Sequence, residues 1–73
     1  MRRYHVTIRI TDRNRTVTTF EPNLIVEAPS SHAVLSDQIL LHRAFWDDAW
    51  WKVEIIVWSA NEVELHRSTL HAS

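Results

Sequence analysis

The chain has 73 residues, neither cysteine nor glycine, and a net charge of −1. A single domain of this size has a core that rarely contributes more than about 3–5 kcal/mol, so tight packing or association with a partner is expected. The composition excludes disulfides, thiolate metal sites, P-loops and glycine-rich dinucleotide turns.

The first predicted strand covers Arg3–Thr11, where apolar and polar residues alternate as in a half-buried strand. Its apolar face consists of Tyr4, Val6, Ile8 and Ile10. A polar turn over residues 12–15 leads into a second strand that starts at Thr16, so a hairpin is predicted. Pro22 has no backbone N–H to donate to a neighbouring strand, so it is expected at a sheet edge, a bulge or a bend. The strand continues over Leu24–Ala28, with Leu24, Val26 and Ala28 on one side.

The Pro29-Ser30-Ser31 segment predicts the cap of a helix that runs to about Trp46. At 100° per residue, its inward arc contains small and apolar side chains, namely Ala33, Val34, Leu40, Leu41, Ala44 and Phe45. Asp37 falls inside that arc, which favours a rival helix with Ser36 as its cap. A narrower apolar stripe lies on the opposite side and consists of Leu35, Ile39 and Trp46.

The third predicted strand, Trp50–Trp58, has large apolar side chains on both faces. Alternation places four of them under the helix, namely Trp51, Val53, Ile55 and Val57. The opposite face carries Trp50, Lys52, Glu54, Ile56 and Trp58. A turn then leads to a short last strand over Val63–Arg67, with Val63 and Leu65 inward. Residues 68–73 are expected to form a frayed tail.

This order predicts one α+β domain over residues 1–73, a four-stranded antiparallel sheet with one helix on one face. The helix leaves the other face open, and large apolar groups there require a cover. The first hypothesis is therefore a protein-binding module or homodimer that uses the five open-face residues of the third strand. The alternatives are that loops or the tail cover these residues, or that a different register brings them into one core.

The charge is unevenly distributed along the chain. Residues 1–20 carry five arginines and one aspartate, net +4, and residues 21–73 carry three basic and eight acidic residues, net −5. Arg9, Arg13 and Arg15 could contact phosphates or an acidic partner, so a nucleic-acid-binding regulator is the second hypothesis. The slightly acidic whole chain argues against it, and the arginines could instead protect a solvated strand edge.

Catalytic, metal and cofactor motifs are not recognisable in the sequence. The five histidines lack the spacing of a zinc site, and no nucleophile turn or pair of acids stands out. We therefore expect no enzyme activity, no catalytic residue, no metal and no cofactor. No apolar run is long enough for the core of a signal peptide or for a membrane span. A cytoplasmic protein without membrane contact is therefore expected.

The strand Leu24–Ala28, the Ser30-Ser31 helix start and Ala33 resemble the layout of small phage-encoded type I anti-CRISPR proteins. The resemblance covers the order of elements from the first strand to the fourth. It implies an inhibitor in the host cytoplasm that occupies the DNA-binding or protein-docking surface of a defence complex. The tryptophan density and the missing glycine depart from the family, so no binding residue is carried over.

Overall fold

Two strands, one helix and two further strands follow each other along the chain. They are β1 (Arg2–Asp12), β2 (Val17–Ala28), α1 (Ser31–Ala44), β3 (Trp50–Ser59) and β4 (Glu64–His71). In this computed structural model, which describes residues 1–72, the strands form one antiparallel sheet in the order β2-β1-β3-β4. The helix packs on one face of that sheet. The predicted α+β architecture is confirmed.

The core lies between the helix and the two central strands. The four apolar residues predicted on the inner face of β1 are all buried, because strict alternation gives a strand one dry and one wet side. They pack with inward residues of β3, β4 and α1, namely Val53, Ile55, Val57, Leu70 and Val34.

Strand β2 forms one edge of the sheet and is irregular. Two register shifts in its pairing with β1 indicate bulges, the first at Pro22 and Asn23 and the second at Phe20. The expectation that Pro22 lies at an edge or bulge is therefore confirmed. Beyond the bulges, Leu24, Val26 and Ala28 lie on the inner side as predicted.

The helix begins at Ser31, and Ser30 is its N-cap. The hydroxyl of Ser30 accepts a hydrogen bond from the backbone N–H of Ala33 at 3.1 Å. This confirms the longer of the two predicted helices and excludes the start at Ser36. The helix ends at Ala44, two residues before the predicted end at Trp46.

The predicted inward arc of the helix is confirmed for Val34 and wrong for its C-terminal half, which is exposed and consists of Leu40, Leu41, Ala44 and Phe45. The buried residues of α1 are Val34, Gln38 and His42. The narrower stripe of Leu35, Ile39 and Trp46 also packs against the core. The polar Gln38 and His42 concealed this face in the sequence, although they lie one turn apart on the same side. Trp46, which follows the end of the helix, lies on this same side and contacts the ring of Trp50.

Strand β4 starts later and runs further than predicted. Val63 and Leu65 are 58% and 42% exposed, so their predicted inward positions are wrong. A bulge at Leu65 resets the register, and the inner positions are instead His66, Ser68 and Leu70. Residues 68–71 belong to the strand, so the frayed tail is wrong for them, and Ser73 lies outside the described residues.

Candidate functional site

On the sheet face that does not carry the helix, the side chains at the centre are covered by other residues of the chain itself. Ile56 is fully buried there, between its cross-strand neighbours Thr7 on β1 and Arg67 on β4. The indole N–H of Trp58 donates to the hydroxyl of Thr7 at 2.9 Å. The predicted exposure of Ile56 to a partner is therefore wrong. Trp58 stays half-buried, and its role as a partner contact remains a prediction.

A ladder of ion pairs crosses the same face over three strands. Glu54 lies 3.5 Å from Arg9 and 3.4 Å from Arg67, and Arg67 also contacts Glu64 at 2.6 Å. The hydrogen bond from Arg67 lowers the pKa of the Glu64 carboxyl and raises the pKa of the Arg67 guanidinium. Glu54 and Arg9 are thus already paired within the chain, and a partner that used them would have to compete with these pairs.

A β-bulge at Trp51 exchanges the faces of the first two tryptophans of β3. Thr11 pairs with Lys52 and Asp12 pairs with Trp50, so Trp51 is the extra residue. Trp50 consequently packs against the core instead of lying on the open face. The predicted faces of Trp50 and Trp51 are wrong, because a one-residue shift of register moves a side chain to the opposite side of a sheet.

The displaced Trp51 is surrounded by basic groups on the open face. The guanidinium carbon of Arg15 lies 3.8 Å from the ring centroid, and the ammonium of Lys52 lies 5.5 Å from it. The ring of His71 meets Trp51 edge-on at 6.3 Å. This end of the sheet therefore presents an aromatic platform with two cations next to it.

The arginines of the β1–β2 hairpin have separate contacts and do not form one patch. Arg13 donates from Nε to the backbone carbonyl of Asp48 at 2.6 Å, which ties the hairpin to the segment before β3. Arg15 stacks on Trp51, and Arg9 pairs with Glu54. The sequence grouped these three residues, whereas the fold gives each one a different structural contact.

The largest apolar groups that the chain leaves uncovered on α1 point away from the sheet. Leu40 is 66% exposed, Leu41 is 48% exposed and Phe45 is 73% exposed. With the exposed Ala44 they form the outer helix patch, defined as Leu40, Leu41, Ala44 and Phe45. The sequence predicts these residues in the core, and the apolar stripe on the opposite side of the helix is the one signal in the sequence that they face outward.

Acidic residues border the outer helix patch at both ends. Asp37 lies one helical turn before Leu40 and Leu41, and Asp47 and Asp48 follow Phe45. All three aspartates are exposed. The patch is therefore apolar at its centre and negatively charged at its ends.

His42 is a buried polar residue between the helix and the sheet. Its ring lies 6.3 Å from that of Trp50, and its Nε2 has no hydrogen-bond partner within residues 1–72. Burial lowers the pKa of His42, because the apolar surroundings disfavour the charged imidazolium. The residue contributes to packing as a neutral ring.

An open groove of about 390 Å³ lies on the other end of the open face. Its lining is polar and apolar in about equal parts and consists of His5, Thr7, Pro22, Asn23, Trp58 and Glu62. His5 Nδ1 lies 2.6 Å from Asn23 Oδ1, so these two side chains are hydrogen-bonded to each other.

No group of three metal-ligating side chains occurs within residues 1–72. Two histidines do approach each other, since the rings of His32 and His66 lie 4.5 Å apart, and Nε2 of His66 is 2.8 Å from the hydroxyl of Ser31. In the part of the chain that the structure describes, no helix is long and apolar enough to cross a membrane.

No protein-family model, curated protein or solved structure matches the chain. The function is therefore inferred from the surfaces described above.

Proposed function

We propose that the protein is a non-catalytic protein-binding module that docks through the outer helix patch. The observation that carries this proposal is the exposure of Leu40 and Phe45, 66% and 73%, on the side of α1 away from its own core. Grouped apolar side chains on a surface mark contact sites more often than scattered ones do. The open face of the sheet offers less, because its central residue, Ile56, is already buried.

The patch has the spacing of a helix that lies in a groove. Leu40 and Ala44 are four residues apart, as are Leu41 and the C-cap residue Phe45, so each pair lies side by side at the C-terminal end of the helix. Amphipathic helices use anchors at such intervals to fill apolar grooves in partner proteins. Because the sheet already holds α1 in place, docking would cost little further ordering of the backbone.

The charges specify the partner further. Asp37, Asp47 and Asp48 border the patch, so the matching surface is an apolar groove with lysine or arginine at its rim. Rim charges mainly affect the association rate, and the central apolar anchors determine how long the complex persists.

The test compares two double variants in affinity capture from the source cells. Leu40→Ser with Phe45→Ser removes the two main anchors, and Val17→Ser with Val63→Ser removes two equally exposed apolar residues elsewhere. We expect the wild type and the second variant to retain the same partner and the first variant to lose it. Purified partner then gives the dissociation constant, which should rise about 100-fold or more.

Circular dichroism separates lost binding from lost folding. Because the substituted side chains are mostly exposed, both variants should melt within a few degrees of the wild type. A folded Leu40→Ser/Phe45→Ser variant with unchanged affinity for the partner would refute the proposal.

In its narrower form, the partner is a host defence complex and the protein is a phage or mobile-element inhibitor. This form rests on the resemblance of Leu24–Ala28, Ser30-Ser31 and Ala33 to the layout of type I anti-CRISPR proteins. It predicts that expression of the chain restores transformation by a plasmid that a type I CRISPR system targets. The Leu40→Ser/Phe45→Ser variant should fail to restore it. Unchanged plasmid exclusion in the presence of the folded wild type would contradict the narrower form alone.

A second candidate is nucleic-acid binding at the Trp51 platform. The Arg15 stack at 3.8 Å and the neighbouring Lys52 favour it, because bases stack on aromatic rings and cations contact phosphates. Affinity for single-stranded oligonucleotides should then fall steeply with salt and fall again in Arg15→Ala and Trp51→Ala. Absence of binding at low salt would exclude this candidate, whereas docking through the helix patch should depend weakly on salt.

A further inference from the structure

The two edges of the sheet differ in how they are protected. Edge strand β2 contains Pro22 and two bulges, features that hinder pairing with another strand. Edge strand β4 has a bulge only near its start, at Leu65, and its pairing with β3 is regular over residues 66–71. That stretch contains neither proline nor lysine. Strand β4 is therefore the edge that remains open to a further strand.

The hydrogen-bonding direction of β4 follows from one contact at its end. The backbone N–H of Ala72 donates to the carbonyl of Trp51 at 2.8 Å, so residue 72 faces β3. Because backbone groups alternate in an antiparallel pair, Leu70 and Ser68 also face β3. The N–H and C=O groups of Arg67, Thr69 and His71 consequently point away from the sheet.

We propose that β4 of a second copy of the chain pairs antiparallel with this edge and joins the two sheets into one. A two-fold axis at Ser68 sets Arg67 of one copy opposite Thr69 of the other. This arrangement uses the outward groups of both residues and forms roughly four backbone hydrogen bonds across the seam. Ser68 then lies opposite Ser68 of the second copy, on the helix side of the sheet.

Charge favours a second copy as the occupant. In this register no two like charges are directly opposite, since Arg67 faces a threonine. The charge of Arg67 is also offset within its own chain by Glu54 and Glu64, so two copies do not repel each other strongly at the seam. A two-fold contact uses the same strand of both copies and therefore stops at a dimer. A small domain without disulfides also gains stability from such a contact.

The first test uses matched threonines on the two edges. Thr69→Pro removes an outward donor of β4 and leaves the pairing with β3 intact. Thr19→Pro is the control, because Thr16 and Thr18 face β1 and Thr19 therefore points outward on β2. Sedimentation velocity over a concentration series should show a wild-type dimer. Its dissociation constant should rise about tenfold or more in Thr69→Pro and stay unchanged in Thr19→Pro.

The second test uses the absence of cysteine in the chain. In the proposed register, Ser68→Cys places two thiols on a non-hydrogen-bonded pair, where Cα atoms lie about 4.5 Å apart and a disulfide fits. Mild oxidation should link this variant into a dimer. Thr69→Cys should not link, because it lies opposite residue 67 of the second copy.

Several outcomes would overturn the proposal. One is a wild-type chain that stays monomeric up to about 1 mM, which corresponds to a free energy of association weaker than about −4.1 kcal/mol. Another is a dimer that Leu40→Ser/Phe45→Ser dissociates and Thr69→Pro does not, which would assign self-association to the outer helix patch. If Thr69→Pro does not fold, Ser68→Cys decides alone, and linkage of Thr69→Cys in its place would refute the register.

Discussion

At the scale of single residues, Ile56 distinguishes a closed sheet face from an open one. Its side chain is fully buried although it lies on the face without a helix. We expect Ile56→Ala to reduce the free energy of unfolding by about 2–5 kcal/mol, and Ile56→Val by about 0.5–1.5 kcal/mol. Urea unfolding measures both. Val63→Ala, at a 58% exposed position, is the control and should stay within about 0.5 kcal/mol of the wild type. A similarly small effect of Ile56→Ala would mean that the face is open.

The burial of His42 should make the free energy of unfolding depend on pH. Burial lowers the pKa of its imidazole in the folded state, whereas the unfolded chain titrates near 6.5. The unfolded state therefore binds more protons below that pH. The stabilisation from neutral His42 is fully present above about pH 6.5 and is lost as the pH falls through and below it.

The variant His42→Leu should lose less stability than the wild type between pH 7.5 and 5.5, because it removes the buried titrating ring. His71→Leu, at an exposed position, is the matched control, because the expected effect comes from the burial of the ring at position 42. Denaturant unfolding at the two pH values gives the comparison. Identical pH slopes in wild type and His42→Leu would show that His42 is not responsible.

At the scale of elements, the bulge in β3 reverses the expected importance of its first two tryptophans. Trp50 packs on the core with its ring 5.5 Å from that of Trp46, whereas Trp51 lies under Arg15 on the solvent side. We expect Trp50→Ala to cost up to about 3–5 kcal/mol and Trp51→Ala less, because only Trp50 packs against the buried core. Thermal or urea unfolding tests this order. A larger effect of Trp51→Ala would restore the simple alternation that the sequence suggested.

The start of α1 gives a second test at this scale. Ser30→Ala removes the acceptor for the N–H of Ala33 and should cost about 0.5–2 kcal/mol. Ser36→Ala removes the rival cap, now an exposed residue inside the helix, and should leave stability unchanged or slightly higher. If Ser36→Ala were the costlier change, the helix would begin after Ser36 and not at Ser31.

The elements could be predicted where a local sequence pattern is unambiguous. The predictions failed where contacts between distant segments determine the structure. The alternation in β1 was enough to predict the inner face of that strand, and the serine before α1 was enough to predict where the helix starts. The rotation of α1 was not predictable, because Gln38 and His42 lie on its buried side. The bulge at Trp51 leaves no mark in a strand that is apolar on both faces, so alternation assigned the wrong tryptophan to the site.

At the scale of the whole molecule, the small sheet limits which segments are dispensable. Residues 68–71 read as a polar tail in the sequence, because Leu70 is the one large apolar residue among them. In the fold they pair with β3, and Leu70 is 5% exposed in the core. A central strand such as β3 needs neighbours on both sides, and here the second neighbour is β4.

Removal of residues 68–73 should therefore abolish cooperative folding. The truncation leaves residues 52–55 of β3 without a partner strand on that side and uncovers Val53 and Ile55, the residues that pair with Leu70 and Ser68. The loss of Leu70 alone corresponds to about 2–5 kcal/mol, which approaches the roughly 3–5 kcal/mol that a core of this size supplies. Thermal melts followed by far-UV circular dichroism should show a sigmoidal transition for the full chain and none for the truncated chain. Removal of Met1, which is 93% exposed and precedes β1, is the control and should leave the melt unchanged. A truncated chain that still melted cooperatively, within a few degrees of the full chain, would mean that the first three strands and α1 form a self-sufficient core.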